Sequence, residues 1–302
     1  MAKTRVRLRR ELPLHLMLIP GIIFLFIFNY VPLCGIYISF QNFNPAKGIF
    51  GNNKWVGFDN FRYVFSLPTI WNVFGNTLLI AILKVIFGTL VPIIVSLMLN
   101  ECRNLIFKRT IQTAIYFPYF ISWIILGGIL LDILSPNDGI VNEIIKLFGG
   151  QPVYFLGDNR YFKGTLVVSD VWRNFGYSSV IYLSAITGID MALYEAASID
   201  GANRWQQTFH VTLPGMATIV ILMVVLNMGN LLNAGFDQVF NLYSPQVYDS
   251  GDIIDTLVYR MGLEQAKFGP STAVGLLKSV ISCILISSAY LIAYKKFDYK
   301  VF

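Results

Sequence analysis

Apolar residues in this chain fall into long, nearly unbroken runs, with none of the regular alternation of a surface strand or the three-and-four spacing of a soluble helix. A helix rises roughly 1.5 Å per residue, so about 20 apolar residues cross a hydrocarbon core of about 30 Å. Six segments are long enough: residues 12–40, 76–99, 111–134, 166–189, 213–234 and 271–294. The pattern predicts an all-α polytopic membrane protein in which residues 1–302 form one transmembrane domain. Pro20, Pro32 and Pro92 lie inside these runs and predict kinks, because proline removes a ladder hydrogen bond and crowds the preceding turn.

The polar connectors set the expected orientation. Residues 1–11, 100–110, 190–212 and 295–302 hold 12 Lys and Arg in 53 positions, whereas residues 41–75, 135–165 and 235–270 hold 8 in 102. The first set is nearly three times as dense, which predicts that both termini and the 190–212 loop are cytoplasmic. The opening Arg5, Arg7, Arg9 and Arg10 resemble the start of a signal peptide, but the run behind them is too long and lacks a small-residue cleavage site, so a retained signal anchor is expected. The three outer connectors are rich in turn residues and aromatics, with short surface helices expected near 140–148 and 253–263. They serve either as ordered connectors or as a docking surface for an external soluble protein.

Composition agrees with a membrane protein: 13% of residues are charged, against about 25% in soluble domains, and mean hydropathy is +0.61. The net charge of +6 follows the loops and forms no tract beside exposed aromatics, so nucleic acid is not expected as a partner. Cys34, Cys102 and Cys283 are far apart, and His15 and His210 complete no ligand cluster, so neither a metal site nor a disulfide framework is expected.

Polar residues inside the spans are costly and point to the bundle interior or a wet cavity. Asn227, Asn230, Asn233 and Asp237 share one face if the fifth segment stays helical, in its outer half. Asp170, Arg173, Asn174 and Tyr177 share a face at matching depth in the fourth. Two readings stand: a cavity whose amides and rings suit a sugar, or interhelical glue with Asp170 and Arg173 paired along the helix. Lys84 and Lys278 are single charges inside spans, read as internal ion pairs, as snorkelling side chains or as contacts for an acidic ligand.

The most specific pattern lies in the cytoplasmic loop: Glu195-Ala196-Ala197-Ser198-Ile199-Asp200-Gly201, then Val211-Thr212-Leu213-Pro214. It predicts two short helices hinged at Gly201, with Asp200 placed to cap the second and Pro214 to begin the next helix. Trp205 and Phe209 put two rings on one face. Exposed alanines beside a hinge call for something that docks there. The chain has no G-x-x-x-x-G-K-[ST] phosphate loop, no G-x-G-x-x-G, H-E-x-x-H or G-x-S-x-G, and no converging acid–base set, so neither a nucleotide site nor a catalytic site is expected in it.

Glu195-Ala196-Ala197, Gly201 and Leu213-Pro214, with Val211 where isoleucine is common, resemble the EAA loop of the membrane subunits of type I ABC importers. Residues 194–202 with Trp205-Gln206, together with Pro20-Gly21, Asn60-Phe61, Asn76-Thr77 and Phe117-Pro118, are similar to the carbohydrate-uptake branch. Gly235-Phe236-Asp237-Gln238-Val239-Phe240-Asn241-Leu242-Tyr243 and Gly251-Asp252-Ile253-Ile254-Asp255-Thr256 are similar to its subgroup for complex or acidic oligosaccharides. The resemblance implies the type I importer permease fold: six transmembrane helices, N-in and C-in, in a bacterial cytoplasmic membrane. It implies that Glu195, Ala196, Ala197, Asp200, Gly201, Leu213 and Pro214 couple the chain to an ATPase, while Asn174, Tyr177, Asn227, Asn230, Asn233 and Asp237 are candidates for the substrate path. The implied partners are a second, homologous permease subunit, a dimer of ABC ATPase subunits carrying ATP and Mg, an extracytoplasmic solute-binding protein, an oligosaccharide and membrane lipid. The extra N-terminal spans and the large outer insertion of the maltose-type subunit are missing. A stand-alone secondary transporter or channel is the alternative reading, and an integral membrane enzyme lacks the acid–base groups it would need.

Overall fold

The computed structural model describes residues 2–229 and 231–297; side chains are described except those of 2–11, 229, 289, 292–294, 296 and 297. Four helices are long and apolar enough to cross a membrane: Leu12–Phe40, Ile70–Glu101, Arg204–Met228 and Phe268–Ser288. Two bent pairs pass the same test together: Leu105–Phe120 with Trp123–Ile133, at 105°, and Asn159–Thr187 with Met191–Ile199, at 67°. The chain is thus a multi-pass helical membrane protein with four spans, or up to six if each bent pair is one span.

The chain divides into two compact units, Met1–Leu67 with Val258–Leu277 and Pro68–Leu257 with Lys278–Phe302. In the first, the Leu12–Phe40 segment changes winding at Pro32. It leaves the α-helix through a π-turn, Phe26–Tyr30, and continues as a 3-10 helix, Val31–Phe40. A wider turn relieves the clash that proline would make with the carbonyl of residue 28. Pro20 and Pro92, by contrast, sit within helices that run on uninterrupted. After Phe40 a two-residue antiparallel ladder pairs Gln41 with Trp55 and Asn42 with Lys54. Phe40 packs against Trp55, Phe58 and Phe61, with ring centroids 5.4 to 5.6 Å apart.

The second unit is built on the long helices Ile70–Glu101 and Asn159–Thr187, which pack along their length. Its main core gathers Ile80, Leu126, Phe162, Leu166, Val239 and Ile253. A smaller one joins Tyr182, Ile186 and Met216 near the loop end. The segment around residue 250 is pinned to the Ile70–Glu101 helix by hydrogen bonds. Asn76 Nδ2 donates to the carbonyls of Asp249 and Asp252 at 3.0 and 3.2 Å, and the Ile254 amide donates to Thr77 Oγ1 at 2.9 Å. Short helices were expected near 140 and 253, and Ile140–Leu147 and Ile254–Tyr259 are found there.

Two segments differ from the continuous spans that hydropathy predicts. The third is split: Pro118 lies in a 3-10 turn, Phe117–Phe120, Ile121 is extended, and Ser122 caps a new helix through its Oγ and the Ile125 amide. The fifth begins at Arg204 and its helix ends at Gly229; Leu231 and Leu232 form a turn and Gly235 adopts φ +91° before the Phe236–Leu242 helix. A run of apolar residues records burial in lipid, and both a turn and a helix can satisfy it.

Gly176 lets two helices of the second unit approach backbone to backbone. A Cβ there would lie 2.0 Å from the Ile115 carbonyl oxygen, whereas at Gly88 nothing lies within 4 Å. Gly176→Ala should destabilise the chain by about 2 kcal/mol or more through overpacking, while Gly88→Ala leaves stability unchanged or slightly raised. Thermal unfolding of the two variants in detergent reads the difference, and equal midpoints would contradict this packing.

Candidate functional site

The 190–212 loop is a rigid elbow capped at each turn. Asp190 opens the Met191–Ile199 helix by accepting from the Ala192 amide at 3.0 Å. The helix closes with the Asp200 amide on the Ala196 carbonyl, the Gly201 amide on Ser198 and the Ala202 amide on Ala197, a left-handed C-cap with Gly201 at φ +81°. The next helix is capped by Asn203, whose side chain accepts from the Gln206 amide while Gln206 Oε1 accepts from the Asn203 amide. That role was expected of Asp200, which ends the preceding helix instead. Pro214 does not begin a helix either. Winding is continuous from Arg204, and a π-turn, Thr208–Thr212, comes before Leu213 and gives the proline ring room.

Side chains tie the two arms together. Tyr194 Oη and Thr212 Oγ1 are 3.0 Å apart, and Gln207 Nε2 donates to Ser198 Oγ at 2.9 Å. Arg204 pairs with Glu101 at the end of the Ile70–Glu101 helix. Gly215 passes close to the Ile189 side chain, where a Cβ would meet Cδ1 at 2.7 Å. Glu195, Ala196, Asp200, Gly201 and Pro214 are exposed, and Ala197 and Leu213 are half-buried. Met191, Leu193, Ile199 and Trp205 are large apolar residues also left exposed, Ile199 at 86%. Beside them a cavity of about 740 Å³ is lined by Leu97, Met98, Trp205 and Phe209. Contiguous apolar exposure next to close-packing alanines is the form of a protein docking surface.

Within the apolar segments the cations are all partnered. Lys84 Nζ donates to the Ala234 carbonyl at 2.7 Å and to Gln238 Oε1, and lies 3.4 Å from Asp170 Oδ1. Asp170 therefore pairs across helices with Lys84, and the expected Asp170–Arg173 pair is not made. Arg173 instead donates to the carbonyls of Tyr119 and Ile121, both at 3.1 Å, and lies over the rings of Tyr119 and Trp123. Lys278 Nζ donates to Asn233 Oδ1 at 2.7 Å and to Asp255 at 2.6 and 2.9 Å.

Of the path candidates, Asn174 and Tyr177 lie together. Asn174 accepts weakly from Arg173 at 3.4 Å, and the half-exposed Tyr177 ring stacks on Tyr119 at 4.1 Å. Asn227 is half-buried near the end of its helix. Asn230 lies outside the described residues. Asn233 and Asp237 fall beyond the helix end, Asn233 in the connection and Asp237 in the first turn of the following helix. Asn227, Asn233 and Asp237 therefore do not share one helical face. Sequence reasoning passed over Gln238, which is fully buried and donates through Nε2 to the Leu166 carbonyl and Ser169 Oγ at 2.7 and 2.8 Å. An amide flanked by Phe236, Val239 and Phe240 was the available signal. Among the described residues no group of three His, Cys, Asp or Glu side chains could hold a metal ion.

Removing one member of a buried pair strands the other, at a cost of about 3–5 kcal/mol. Lys84→Met should therefore unfold at a clearly lower temperature than the parent, and adding Asp170→Leu should recover part of the loss. A Lys84→Met variant with the parent's midpoint would contradict this pairing.

The comparisons with known proteins cover nearly the whole chain. Residues 88–296 match the family model described as "Binding-protein-dependent transport system inner membrane component". The chain is 39% identical over 292 residues to the polygalacturonan/rhamnogalacturonan transport system permease protein YteP of Bacillus subtilis (strain 168), covering 97% of this chain and 90% of that one. Two crystal structures are similar at 33% identity. One is of a bacterial ABC transporter involved in the import of the acidic polysaccharide alginate, with a TM-score of 0.89 over 97% of this chain and 99% of that chain. The other is of a bacterial alginate ABC transporter in complex with alginate pentasaccharide-bound periplasmic protein, with a TM-score of 0.87 over 95% and 96%. The multi-pass helical architecture, the exposed elbow and these matches agree: the chain belongs to the family of inner-membrane components of binding-protein-dependent transport systems, and is a permease subunit of an ABC importer.

Proposed function

We propose that this subunit forms half of the translocation path of an importer for acidic, uronate-containing oligosaccharides in a bacterial cytoplasmic membrane. Six spans with both termini inside are favoured by the Lys and Arg distribution. On that topology the Met191–Ile199 helix faces the cytoplasm and docks on one subunit of an ATPase dimer that carries ATP and Mg. Glu195 supplies a polar contact, Ala196 and Ala197 allow close approach, Asp200 and Gly201 set the bend, and Leu213-Pro214 anchors the elbow to the span. One such helix serves one ATPase subunit, so a second, homologous permease completes the bundle, and a solute-binding protein delivers sugar from outside. The substrate class is supported by the substrates for which the similar proteins are named, polygalacturonan, rhamnogalacturonan and alginate. Asn174, Tyr177 and Asn227 remain path candidates, together with Asn233 and Asp237 at the helix break and with Asn230.

The observation that carries this reading is the exposed, doubly capped helix with apolar side chains turned to solvent, in a chain without a phosphate loop. The Ala196 side chain is exposed. Ala196→Arg should leave thermal stability unchanged, lower co-purification of the ATPase in mild detergent at least tenfold, and abolish ATP-driven uptake. Full retention of the ATPase together with parental uptake would refute the docking role. In the same uptake assay, Tyr177→Ala and Asn227→Ala should raise the half-saturating substrate concentration with the complex intact; loss of assembly would return them to a structural role.

A further inference from the structure

The unit Met1–Leu67 with Val258–Leu277 carries a polar pocket of about 550 Å³ that neither the elbow nor the intramembrane cations use. Three short pieces build it: the strand Gln41–Asn42, the helix Asp59–Ser66 and the turn at 266–270. Asn60 draws them together, donating to the carbonyls of Ser39 and Gln41 at 2.8 and 2.9 Å. Gly269 allows the closest approach, since a Cβ there would lie 2.7 Å from Asn60 Nδ2 and 2.8 Å from the Gln41 carbonyl oxygen. The volume falls within the range of small-molecule sites.

Its chemistry asks for a particular ligand. Gln41 is 3% exposed and its Oε1 has no hydrogen-bond partner. A buried acceptor left unmade is destabilising, and native proteins keep few of them. Lys267 supplies the opposite character. Its Nζ donates to Tyr63 Oη at 2.9 Å and sits 5.4 Å from the centre of the Tyr63 ring, leaving further N–H bonds for another acceptor. Asp59, the acidic lining residue, is engaged by Arg62 at 3.2 Å.

The backbone is held in an uncommon state to deliver that lysine. Ala266, at φ +53°, is the only non-glycine residue with positive φ among the described residues, and the Lys267 amide closes the turn on the Met261 carbonyl at 2.8 Å. Glycine is the usual residue in such a cap, and departures of this kind cluster at ligand sites.

We infer that this pocket binds one sugar-acid residue of a saccharide. The Gln41 amide turns into the pocket and accepts from a ring hydroxyl through Oε1, the carboxylate accepts from Lys267 Nζ, and a C–H face of the pyranose lies on Tyr63. Sulfate or chloride has no donor for the buried amide oxygen, hydrogen phosphate has no apolar face for Tyr63, and an aliphatic ligand leaves the oxygen unpaired. A uronate has donor, acceptor and apolar face together. On the proposed topology the pocket lies at the outer end of the first span. The inference rests on the topology and substrate class proposed above.

The test uses the complete transporter in lipid nanodiscs, with D-galacturonate and D-galactose as probes in saturation-transfer NMR. The parent should saturate galacturonate more strongly than galactose, and Lys267→Ala should reduce that preference at least fivefold. Gln41→Met should weaken both signals with thermal stability unchanged or raised, since an apolar group then replaces an unpaired acceptor. Equal signals from the parent and both variants overturn the proposal. So does an effect of the variants on docking of the solute-binding protein with galacturonate binding retained, which assigns the pocket to a protein contact. Uptake of trigalacturonate by the parent separates the two layers. Lys267-dependent binding without uptake rejects the substrate reading and keeps the pocket, whereas uptake without such binding rejects the pocket alone.

Discussion

A backbone carbonyl with no partner in hydrocarbon costs several kcal/mol, which is why spanning segments are almost always unbroken helices. This chain interrupts two apolar segments, and a cation is found at each interruption. Where the third segment bends by 105°, Arg173 donates to the carbonyls of Tyr119 and Ile121 on either side of Phe120. Where the fifth segment stops, Lys84 donates to the Ala234 carbonyl and Lys278 to the Asn233 side chain. Each cation is itself held, Lys84 by Asp170, Lys278 by Asp255, and Arg173 by the rings of Tyr119 and Trp123. The lone charges that look expensive in the sequence are thus what makes the helix breaks tolerable.

The breaks and the elbow differ in a way that bears on transport. Around residues 119–122 and 231–238 the local structure depends on a few side-chain bonds from neighbouring helices. Such bonds can be exchanged as helices move, so these are the places where the bundle has a cheap degree of freedom. The elbow is the opposite. Asp190, Gly201 and Asn203 each close a helix end, and Tyr194–Thr212 and Gln207–Ser198 cross-brace the two arms. A force applied to the Met191–Ile199 helix is therefore passed into the Arg204–Met228 span instead of being absorbed by the loop.

Much of this was legible in the sequence, for physical reasons. Apolar runs of membrane length located the spans, and the Gly201 turn with its flanking alanines located the elbow, because each depends on local composition. The winding within the spans was not legible. Hydropathy is indifferent to whether Leu231 and Leu232 are helical, so the Asn227-to-Asp237 stripe looked continuous when the helix ends at Gly229. Proline gave a partial signal: Pro32 and Pro118 mark real changes of winding, Pro20 and Pro92 none, and Pro214 is absorbed by a π-turn that nothing in the sequence announces. The partners of Lys84, at Asp170, Ala234 and Gln238, and those of Lys278, at Asn233 and Asp255, lie outside any local window of the sequence. Asp200 was read as the cap of the second helix; Asn203 holds that place, and Gln206 three residues on, which completes its capping box, was the cue passed over.

The account stands on the Met191–Ile199 helix being the contact through which a separate ATPase drives the bundle. The most direct measurement is site-specific cross-linking. Ala197→Cys, in a background with Cys34, Cys102 and Cys283 replaced, is joined to a cysteine in the surface groove of the co-purified ATPase. A covalent adduct to the ATPase whose yield changes when ATP binds is the predicted result. No adduct from Ala197→Cys in a complex that still transports would contradict the account.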